Sequence, residues 1–327
     1  MMYIDRAYGK VEINEPVILD LINSPFIQRL KYIDQAGFIE PYFPGRTFYR
    51  FEHSVGVYLL LKKYNASIEE QIAGLIHDVS HSVFSHCIDY ILSAGSETEH
   101  NHQDNIFVNF VKETDIPQIL EKYSFDINKI LDDNNFPLKE KTLPDLCADR
   151  IDYALRTALV FEEKTFEEIQ ELLKSLSTEK NNWVFNDLNS AKDFANLFLK
   201  LNTDYFAGME SALMFRTVGD CIKYTIEQGY VSEKDLYTTD KEILTKIEGF
   251  INKDQKLKLL WDRMNNKIKT KNDPNNYDSQ VLCKSRVINP LFKEGEQIKR
   301  LSEKELNWKK VIERESCPKR YFIKFEQ

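Results

Sequence analysis

The sequence of 327 residues has no long apolar run and no closely paired cysteines. Its longest apolar candidate, Val57–Leu61, is far shorter than the ~18 residues that suggest a membrane-spanning helix. The five cysteines are odd in number and form no C-x-x-C pair, so neither a disulfide framework nor a thiolate zinc site is indicated. Asp5 and Arg6 stand where a signal peptide would need apolar residues. We therefore expect a cytoplasmic protein with no membrane partner.

Positive charge is scarce in the first part of the chain and concentrated in the last. The net charge is −8, yet residues 241–327 carry 21 basic and 13 acidic residues. We interpret residues 1–240 as an acidic body and residues 241–327 as a basic C-terminal region of mixed helix and short strands. Its alternating charges indicate a solvated face, an allosteric anion site or a surface that docks on another subunit. The acidic balance disfavours nucleic acid as a main partner, because backbone binding depends on basic residues.

Helical periodicity dominates the sequence, and strand patterns are few. Helices are predicted for Glu15–Gln35 with a break at Pro25, from near Phe51, from the N-cap Ser67, and for 82–93, 101–112, 149–161, 165–176 and 188–228. Strands are predicted for a hairpin within Tyr3–Ile13, for Trp183–Phe185, and for a small sheet from Val281–Leu291 and Tyr321–Phe325. The predicted fold is mainly α-helical, a helical bundle with a small mixed α/β C-terminal appendage.

All six histidines lie between His53 and His102. They follow the order H53…H77-D78-x-x-H81-x-x-x-x-H86…H100-x-H102, on or beside predicted helices. Divalent ions such as Fe, Mn, Zn or Ni accept imidazole nitrogen, and the harder ones also accept carboxylate oxygen. His77 and Asp78 can converge on one ion from a helix end, with His53 reaching in from the preceding helix. The pattern therefore predicts a metal site.

A second carboxylate is offered by the segment DRIDYALR. In it Asp149, Asp152 and Tyr153 share one helix face at spacings of three and four residues. A charged residue that faces a core needs a partner or a metal, because burying it alone is costly. Asp149 or Asp152 could thus complete the ligand set and leave open positions for water and substrate.

Four segments in this order resemble the HD-domain superfamily of metal-dependent phosphohydrolases, in particular its deoxynucleoside triphosphohydrolase branch. They are SPFIQRLKYIDQAG, FPGRTFYRFEHSVGVYL, AGLIHDVSHSVFSH and ADRIDYALR, and they fall within about residues 20–160. The resemblance implies an HD-domain helical bundle, a nucleotide substrate and a homo-oligomer. It also implies a divalent ion (Fe, Mn, Zn, Ni, Co or Mg), with a second Mg as an option.

The resemblance also implies roles for individual residues. The metal ligands would be His53, His77, Asp78 and Asp149. The catalytic residues would be His81, His86, His102 and Asp89, which orients one of these histidines. The substrate-binding residues would be Arg50, Arg150, Tyr153, Gln35 and Arg216. His100 is instead expected to be a core or solvent-facing residue.

Departures from the family pattern concern the substrate. Thr157 stands where the triphosphohydrolases have an Asp near the sugar. On the long predicted helix Phe206, Glu210, Met214 and Arg216 occupy the positions of a triphosphate clamp, and only Arg216 is cationic. Arg216 could equally be a salt-bridge partner of Asp220, four residues on.

Three functions follow from these patterns. The leading hypothesis is hydrolysis of a deoxynucleoside triphosphate to nucleoside and triphosphate. The alternative is a phosphatase or phosphodiesterase acting on a nucleoside monophosphate, a cyclic nucleotide or an alarmone. A third, of another class, is a nucleic-acid-binding or nucleotide-sensing protein without turnover.

Overall fold

The computed structural model describes residues 1–92 and 95–326, and the fold is mainly helical, as predicted. In chain order the helices are α1 (Pro16–Asn23), α2 (Pro25–Arg29), α3 (Arg50–Lys63), α4 (Ile68–Ile76), α5 (His102–Lys112), α6 (Ile116–Lys122), α7 (Ile127–Ile130), α8 (Ala148–Val160), α9 (Phe166–Ser175), α10 (Leu188–Leu201), α11 (Met209–Glu227), α12 (Asp240–Ile251), α13 (Gln255–Met264), α14 (Leu301–Lys304) and α15 (Leu306–Glu315). Short 3₁₀ turns span Leu30–Tyr32, Ser85–Tyr90, Asp133–Asn135 and Glu233–Tyr237. Within the described ranges, no helix has the length and apolar character needed to span a bilayer.

The strands form small sheets. Their bounds are β1 (Met2–Asp5), β2 (Gly9–Glu12), β3 (Leu176–Glu179), β4 (Asn182–Phe185), β5 (Thr270–Asn272), β6 (Ser279–Cys283), β7 (Leu291–Glu294), β8 (Gln297–Arg300) and β9 (Lys319–Phe325). The predicted hairpin is confirmed, since β1 and β2 pair antiparallel. The predicted C-terminal sheet is also confirmed, since β6 pairs antiparallel with β9. Leu291, the last residue of the first predicted segment, instead begins β7, which lies parallel to β4 in another sheet.

Helix α3 is the central helix of the site. It is buried along most of its length because its sequence carries apolar residues on all sides, and its first turn holds Arg50 and His53. Helix α8 approaches α3 closely at Gly56, where an added Cβ would lie 1.9 Å from Arg156 Nη2. A larger residue at Gly56 would therefore displace the buried Arg156 and Asp152 side chains.

Helix α4 begins where the sequence predicts. The Ser67 side chain accepts a hydrogen bond from the backbone N–H of Glu70, and Glu69 and Glu70 lie in the first turn. The helix ends at Ile76, so that His77 is its C-cap and Asp78 follows directly. The end of α4 therefore brings His77 and Asp78 toward the first turn of α3.

Two helix predictions are wrong in detail. The predicted helix 188–228 is two helices, because a π-helical turn at Asn202–Phe206 and a break at Gly208 interrupt it. The predicted helix 82–93 is a short 3₁₀ turn, and residue 93 lies outside the described residues. Phe84 and Ser85 have φ angles of 54° and 44°, which is left-handed backbone that an α-helix cannot continue through.

The C-terminal region packs tightly on the rest of the chain. Arg300 Nη1 donates to Asp145 Oδ1 at 2.5 Å, and the Asn289 backbone N–H donates to the Pro144 carbonyl at 2.8 Å. Trp261 and Trp308, the two tryptophans of this region, are both buried within their own chain. A division of the chain near residue 240 stays a prediction.

Candidate active site

Three helix ends bring a cluster of metal-binding side chains together. His53 comes from the first turn of α3, His77 from the end of α4 and Asp149 from the first turn of α8. His53 Nε2 lies 2.8 Å from Asp149 Oδ1 and 3.2 Å from His77 Nε2, and His77 Nε2 lies 3.5 Å from Asp149 Oδ1. These three ligand atoms could hold one metal ion, and we call this group the metal cluster.

The hydrogen bonds behind the metal cluster orient its ligands. His53 Nδ1 lies 2.7 Å from Asp152 Oδ2, and His77 Nδ1 lies 2.8 Å from the carbonyl oxygen of Gly74. Both acceptors require a proton on Nδ1, so Nε2 of each ring faces the other ring and Asp149. Despite burial, the hydrogen bonds to Asp149 and Asp152 raise the pKa of His53 to about 9, so the position between these groups attracts positive charge, either a proton or a metal ion. Metal-binding histidines are commonly oriented in this way. The residues present therefore fit a divalent metal ion.

Asp152 and Arg156 form a buried support for His53. Arg156 donates to Asp152 Oδ2 at 2.7 Å and to Asp5 Oδ2 at 2.8 Å, and Tyr8 donates to Asp152 Oδ1 at 2.8 Å. Burial would raise the pKa of Asp152, but the Arg156 guanidinium and the hydrogen bond from His53 hold it below its ordinary value. Asp152, which shares a helix face with Asp149, therefore acts behind His53.

Asp78 lies beside the metal cluster and is paired with Arg50. Arg50 Nη1 donates to Asp78 Oδ2 at 2.6 Å, and the other guanidinium nitrogens donate to Ser85 Oγ and to the Gln35 carbonyl. Asp78 Oδ1 lies 3.4 Å from His77 Nε2 and 3.3 Å from His81 Nε2. Despite burial, the Arg50 guanidinium keeps the pKa of Asp78 well below its usual range, so Asp78 is a carboxylate.

A row of histidines leads away from the metal cluster. The rings of His81 and His86 meet edge to face with centroids 5.2 Å apart, and His86 stacks on His100 at 4.9 Å. His86 Nδ1 lies 3.1 Å from Asp89 Oδ2, so this carboxylate orients the His86 ring. Burial and the nearby Arg50 lower the pKa of His81 to about 4, and the same two causes keep the pKa of His86 well below its usual value.

The structure places His100, and not His102, at the cavity wall. His102 Nε2 lies 3.0 Å from the Tyr237 hydroxyl, and its backbone N–H donates to Asp89 Oδ1 at 2.8 Å. His100 instead lines the space next to His86. The backbone at His100 is left-handed, with a φ of 51°, and sequence spacing does not reveal such a turn. Spacing alone therefore cannot tell which of the two histidines faces the cavity.

Two neighbouring cavities adjoin these residues. The polar cleft lies over the metal cluster and is lined by Arg50, His77, Asp78, His81, Asp149 and other polar residues. The apolar chamber lies beyond the histidines and is lined largely by Phe48, Phe161, Tyr205, Phe206, Met214 and Phe215. Gln35, His86, His100, Tyr153 and Arg286 border both spaces, so one elongated ligand could occupy them together.

The sequence-predicted substrate residues fall into two groups. Gln35 and Tyr153 line both cavities, and Thr157 lines the chamber. Arg150 borders the cleft but donates to the backbone carbonyls of Asp145 and Lys141, at 2.7 and 3.1 Å.

Arg216 is not brought into either cavity. It forms a two-bond ion pair with Asp220, with Nη2 2.6 Å from Oδ1 and Nε 3.0 Å from Oδ2. Its neighbours Phe206 and Met214 line the apolar chamber with uncharged side chains.

Sequence reasoning missed two cations that line the polar cleft, Lys284 and Arg286. Both come from the segment that follows β6, more than 120 residues after Asp149 in the chain. The only sequence signal was the general positive charge of this region.

Comparisons with known proteins agree with this site. The HD domain family matches residues 50–157, which span α3 to α8. The chain is 33% identical to the metal-dependent phosphohydrolase cns2 of Cordyceps militaris over 261 residues, 77% of this chain and 74% of that protein. The protein therefore belongs to the HD-domain family of metal-dependent phosphohydrolases, and it is a hydrolase that acts on phosphoester bonds.

A second relative has a more specific name but a shorter match. Human deoxynucleoside triphosphate triphosphohydrolase SAMHD1 is 34% identical over 139 residues, 36% of this chain and 22% of that protein. Among solved structures, a phosphohydrolase from Bacteroides thetaiotaomicron superimposes with a TM-score of 0.75 over the whole of both chains, at 17% identity. That likeness establishes the fold.

Proposed function

We propose that the protein hydrolyses nucleotides, and that a deoxynucleoside triphosphate, cleaved to nucleoside and triphosphate, is its substrate. One observation carries the proposal: the apolar chamber and the polar cleft over the metal cluster share a wall that includes His86, Tyr153 and Gln35. A ligand with an aromatic ring at one end and phosphate at the other matches this pair of spaces. The partial likeness to a deoxynucleoside triphosphate triphosphohydrolase supports the same substrate.

His53, His77 and Asp149 would hold the metal ion, with Asp78 alongside. When bound, such an ion lowers the pKa of a coordinated water and polarises a phosphoryl oxygen. The nitrogen and oxygen donors are compatible with Fe, Mn, Zn, Ni or Co and fit Mg less well. A second ion, Mg, stays an expectation from the family resemblance.

Arg50 and the histidines would act on the phosphoryl group. The Arg50 guanidinium beside Asp78 places positive charge where the phosphoryl oxygens gather negative charge. His86 is the candidate acid, because Asp89 orients its ring and it borders both cavities. Without a ligand, burial and Arg50 favour neutral His86, and an anionic substrate would raise its pKa. The imidazole could then carry the proton that it gives to the leaving oxygen.

The apolar chamber would take the organic part of the nucleotide. Aromatic side chains form much of its wall, and stacking on a base is favourable because every base has a π face. Gln35 Oε1 is buried and makes no hydrogen bond among the described residues. It is therefore placed to accept a hydrogen bond from a base or sugar donor, with Tyr153 and Thr157 beside it.

A second candidate substrate is a nucleoside monophosphate. The specific observation in its favour is that α11 and the turn before it place Phe206 and Met214 on the chamber wall, while Arg216 is paired with Asp220. None of these three side chains offers a free positive charge to a phosphate chain.

The deciding experiment is a product analysis. Purified protein is incubated with Mn, Fe, Co or Mg and a panel of deoxynucleoside triphosphates, ribonucleotides, monophosphates and cyclic nucleotides. Chromatographic detection of nucleoside and inorganic triphosphate supports the proposal, and phosphate release from monophosphates alone supports the second candidate. Absence of turnover with every metal, together with salt-sensitive oligonucleotide binding, would refute both in favour of a binding or sensing protein. A homo-oligomer, expected from the resemblance, is tested on the same preparation by light scattering.

A further inference from the structure

The segment Lys284–Arg286 reaches the cavity from the C-terminal region and is held there by polar contacts. The Arg286 backbone N–H donates to Asn202 Oδ1 at 2.8 Å, and Ser285 Oγ accepts from Asn202 Nδ2 at 3.0 Å. Ser285 also donates to Glu315 Oε2 at 3.2 Å. Asn202 begins the π-helical turn that interrupts the long predicted helix. The turn therefore fixes the two residues that flank Ser285 at the cavity wall.

Lys284 and Arg286, which we call the cationic pair, have no carboxylate partner among the described residues. Lys284 Nζ donates to the carbonyl of Glu99, and Arg286 Nη1 donates weakly to the Lys284 carbonyl at 3.4 Å. Both side chains are half-buried. Burial and the neighbouring Arg286 lower the pKa of Lys284 to about 8, so the two cations are close enough to disfavour one another. A bound anion would relieve this repulsion.

The other cations of the polar cleft are already engaged. Arg50 is paired with Asp78, and Lys139 Nζ lies 2.5 Å from Asp133 Oδ1. Arg150 donates to backbone carbonyls. Within residues 1–92 and 95–326, the cations that line this cleft thus differ in their partners. The cationic pair has the fewest hydrogen bonds and ion pairs to protein groups.

Position separates the cationic pair from the metal cluster. Lys284 lines the polar cleft but not the apolar chamber. Arg286 borders both spaces, as do His86 and His100. A phosphoryl group at the metal cluster would therefore leave further phosphates of the same ligand within the cleft that the pair lines. Guanidinium and ammonium groups bind phosphate oxygens through charge-assisted hydrogen bonds.

We propose that Lys284 and Arg286 bind the phosphate groups of the substrate that lie beyond the one at the metal cluster, and so select a nucleotide with a phosphate chain over a monophosphate. The proposal rests on the proposed function for the identity of the substrate. It gives the basic C-terminal region a role within its own active site, namely binding the phosphate chain. Phe206 and Met214 cannot bind phosphate because they are uncharged, and Arg216 is already paired with Asp220.

The test measures anion binding, which needs no turnover. Full-length metal-loaded protein is titrated calorimetrically with inorganic tripolyphosphate and, separately, with inorganic phosphate. We compare wild type, the double variant K284Q/R286Q, and the control R320Q, which removes an exposed arginine on β9. The double variant is expected to bind tripolyphosphate at least tenfold more weakly, in line with the loss of charge-assisted bonds, and phosphate within about threefold.

A specific loss of threefold or more for tripolyphosphate supports the proposal. A smaller loss, or an equal loss in R320Q, overturns it. Circular dichroism and thermal melting check the fold, and if the double variant does not fold the same criterion applies to K284Q alone.

The outcomes also separate this proposal from the proposed function. If no nucleotide is hydrolysed but the double variant binds tripolyphosphate more weakly than the wild type, the cationic pair is an anion site and the proposed function fails. If deoxynucleoside triphosphates are hydrolysed with the same KM in wild type and double variant, the function stands and the role of the pair is refuted.

Discussion

The metal cluster and the cationic pair border the same cleft but are built in opposite ways. Each ligand nitrogen of the metal cluster is backed by a hydrogen bond, from His53 to Asp152 and from His77 to the Gly74 carbonyl. Among the residues that the structure describes, the Lys284 and Arg286 side chains contact carbonyl groups and have no carboxylate partner. A catalytic ion must be held in one geometry, and so its ligands are fixed before it binds. Side chains that bind a substrate instead keep hydrogen-bond donors free for the ligand.

The largest effect should come from breaking the metal cluster. H77Q is expected to lower metal content to background and hydrolysis by about a thousandfold or more, because an amide replaces an imidazole ligand. Metal content is measured by mass spectrometry. Turnover is measured with the nucleotide that the wild type hydrolyses fastest. The control H102Q alters a buried histidine outside the cavity and should keep its metal. Full turnover by folded H77Q that contains no metal would contradict the assignment.

The next effect separates the histidines of the cleft. H86Q should lower kcat by about a hundredfold or more, which is the usual contribution of a general acid, with the metal retained. H102Q should lower it by threefold at most, because His102 contacts Tyr237 and not the cavity. Steady-state kinetics on the two variants decides between the two positions. A larger loss in H102Q than in H86Q would favour the catalytic His102 that the sequence predicts.

The apolar chamber is probed by Gln35, whose side-chain oxygen has no partner in the described residues. Q35A should raise KM about tenfold and change kcat little, because one substrate hydrogen bond of roughly 1–1.5 kcal/mol is lost in ground state and transition state alike. The measurement is the KM and kcat of Q35A and of Q103A, which alters another glutamine at the cleft but outside the chamber. An unchanged KM in Q35A would refute ligand binding in the chamber.

The smallest effect concerns the far end of α3, where Glu15 accepts hydrogen bonds from Tyr58 and Lys62, at 2.9 and 3.0 Å. These bonds outweigh burial and lower the pKa of Glu15 to about 2. The folded pKa is lower than the unfolded value of ~4.3, so the stabilisation is present above that value and is lost as pH falls toward 2.

E15Q should therefore lower the free energy of unfolding by about 1–2 kcal/mol at pH 7, after allowance for partial exposure. The difference from wild type should shrink as the pH falls from ~4.5 toward 2. Urea unfolding at several pH values measures it, and metal content should stay unchanged. A difference that is constant over this range would exclude the titration of Glu15 as its cause.

Local sequence patterns predict the framework of the site well. Ser67 caps α4 as expected, and His53, His77 and Asp149 come together because each stands at a helix end that its own segment specifies. The break at Asn202 could not be predicted, because residues 188–228 have helical periodicity throughout. At this break Asn202 forms hydrogen bonds with Ser285, Arg286 and Glu315, which are distant in the chain.

The histidine–aspartate order by itself predicted a metal site, since few side chains bind metals and these stand at spacings that short helices bring together, and the resemblance of four segments to a known family implied the class of chemistry. Only the tertiary structure decided that Asp152 lies behind His53 as its hydrogen-bond partner. It also decided that His100 lies at the cavity and that Lys284 and Arg286 line it. The physical reason is range: helix periodicity and capping are set by neighbours within a few residues. The wall of a cavity is set by whichever distant segment can satisfy its buried polar groups.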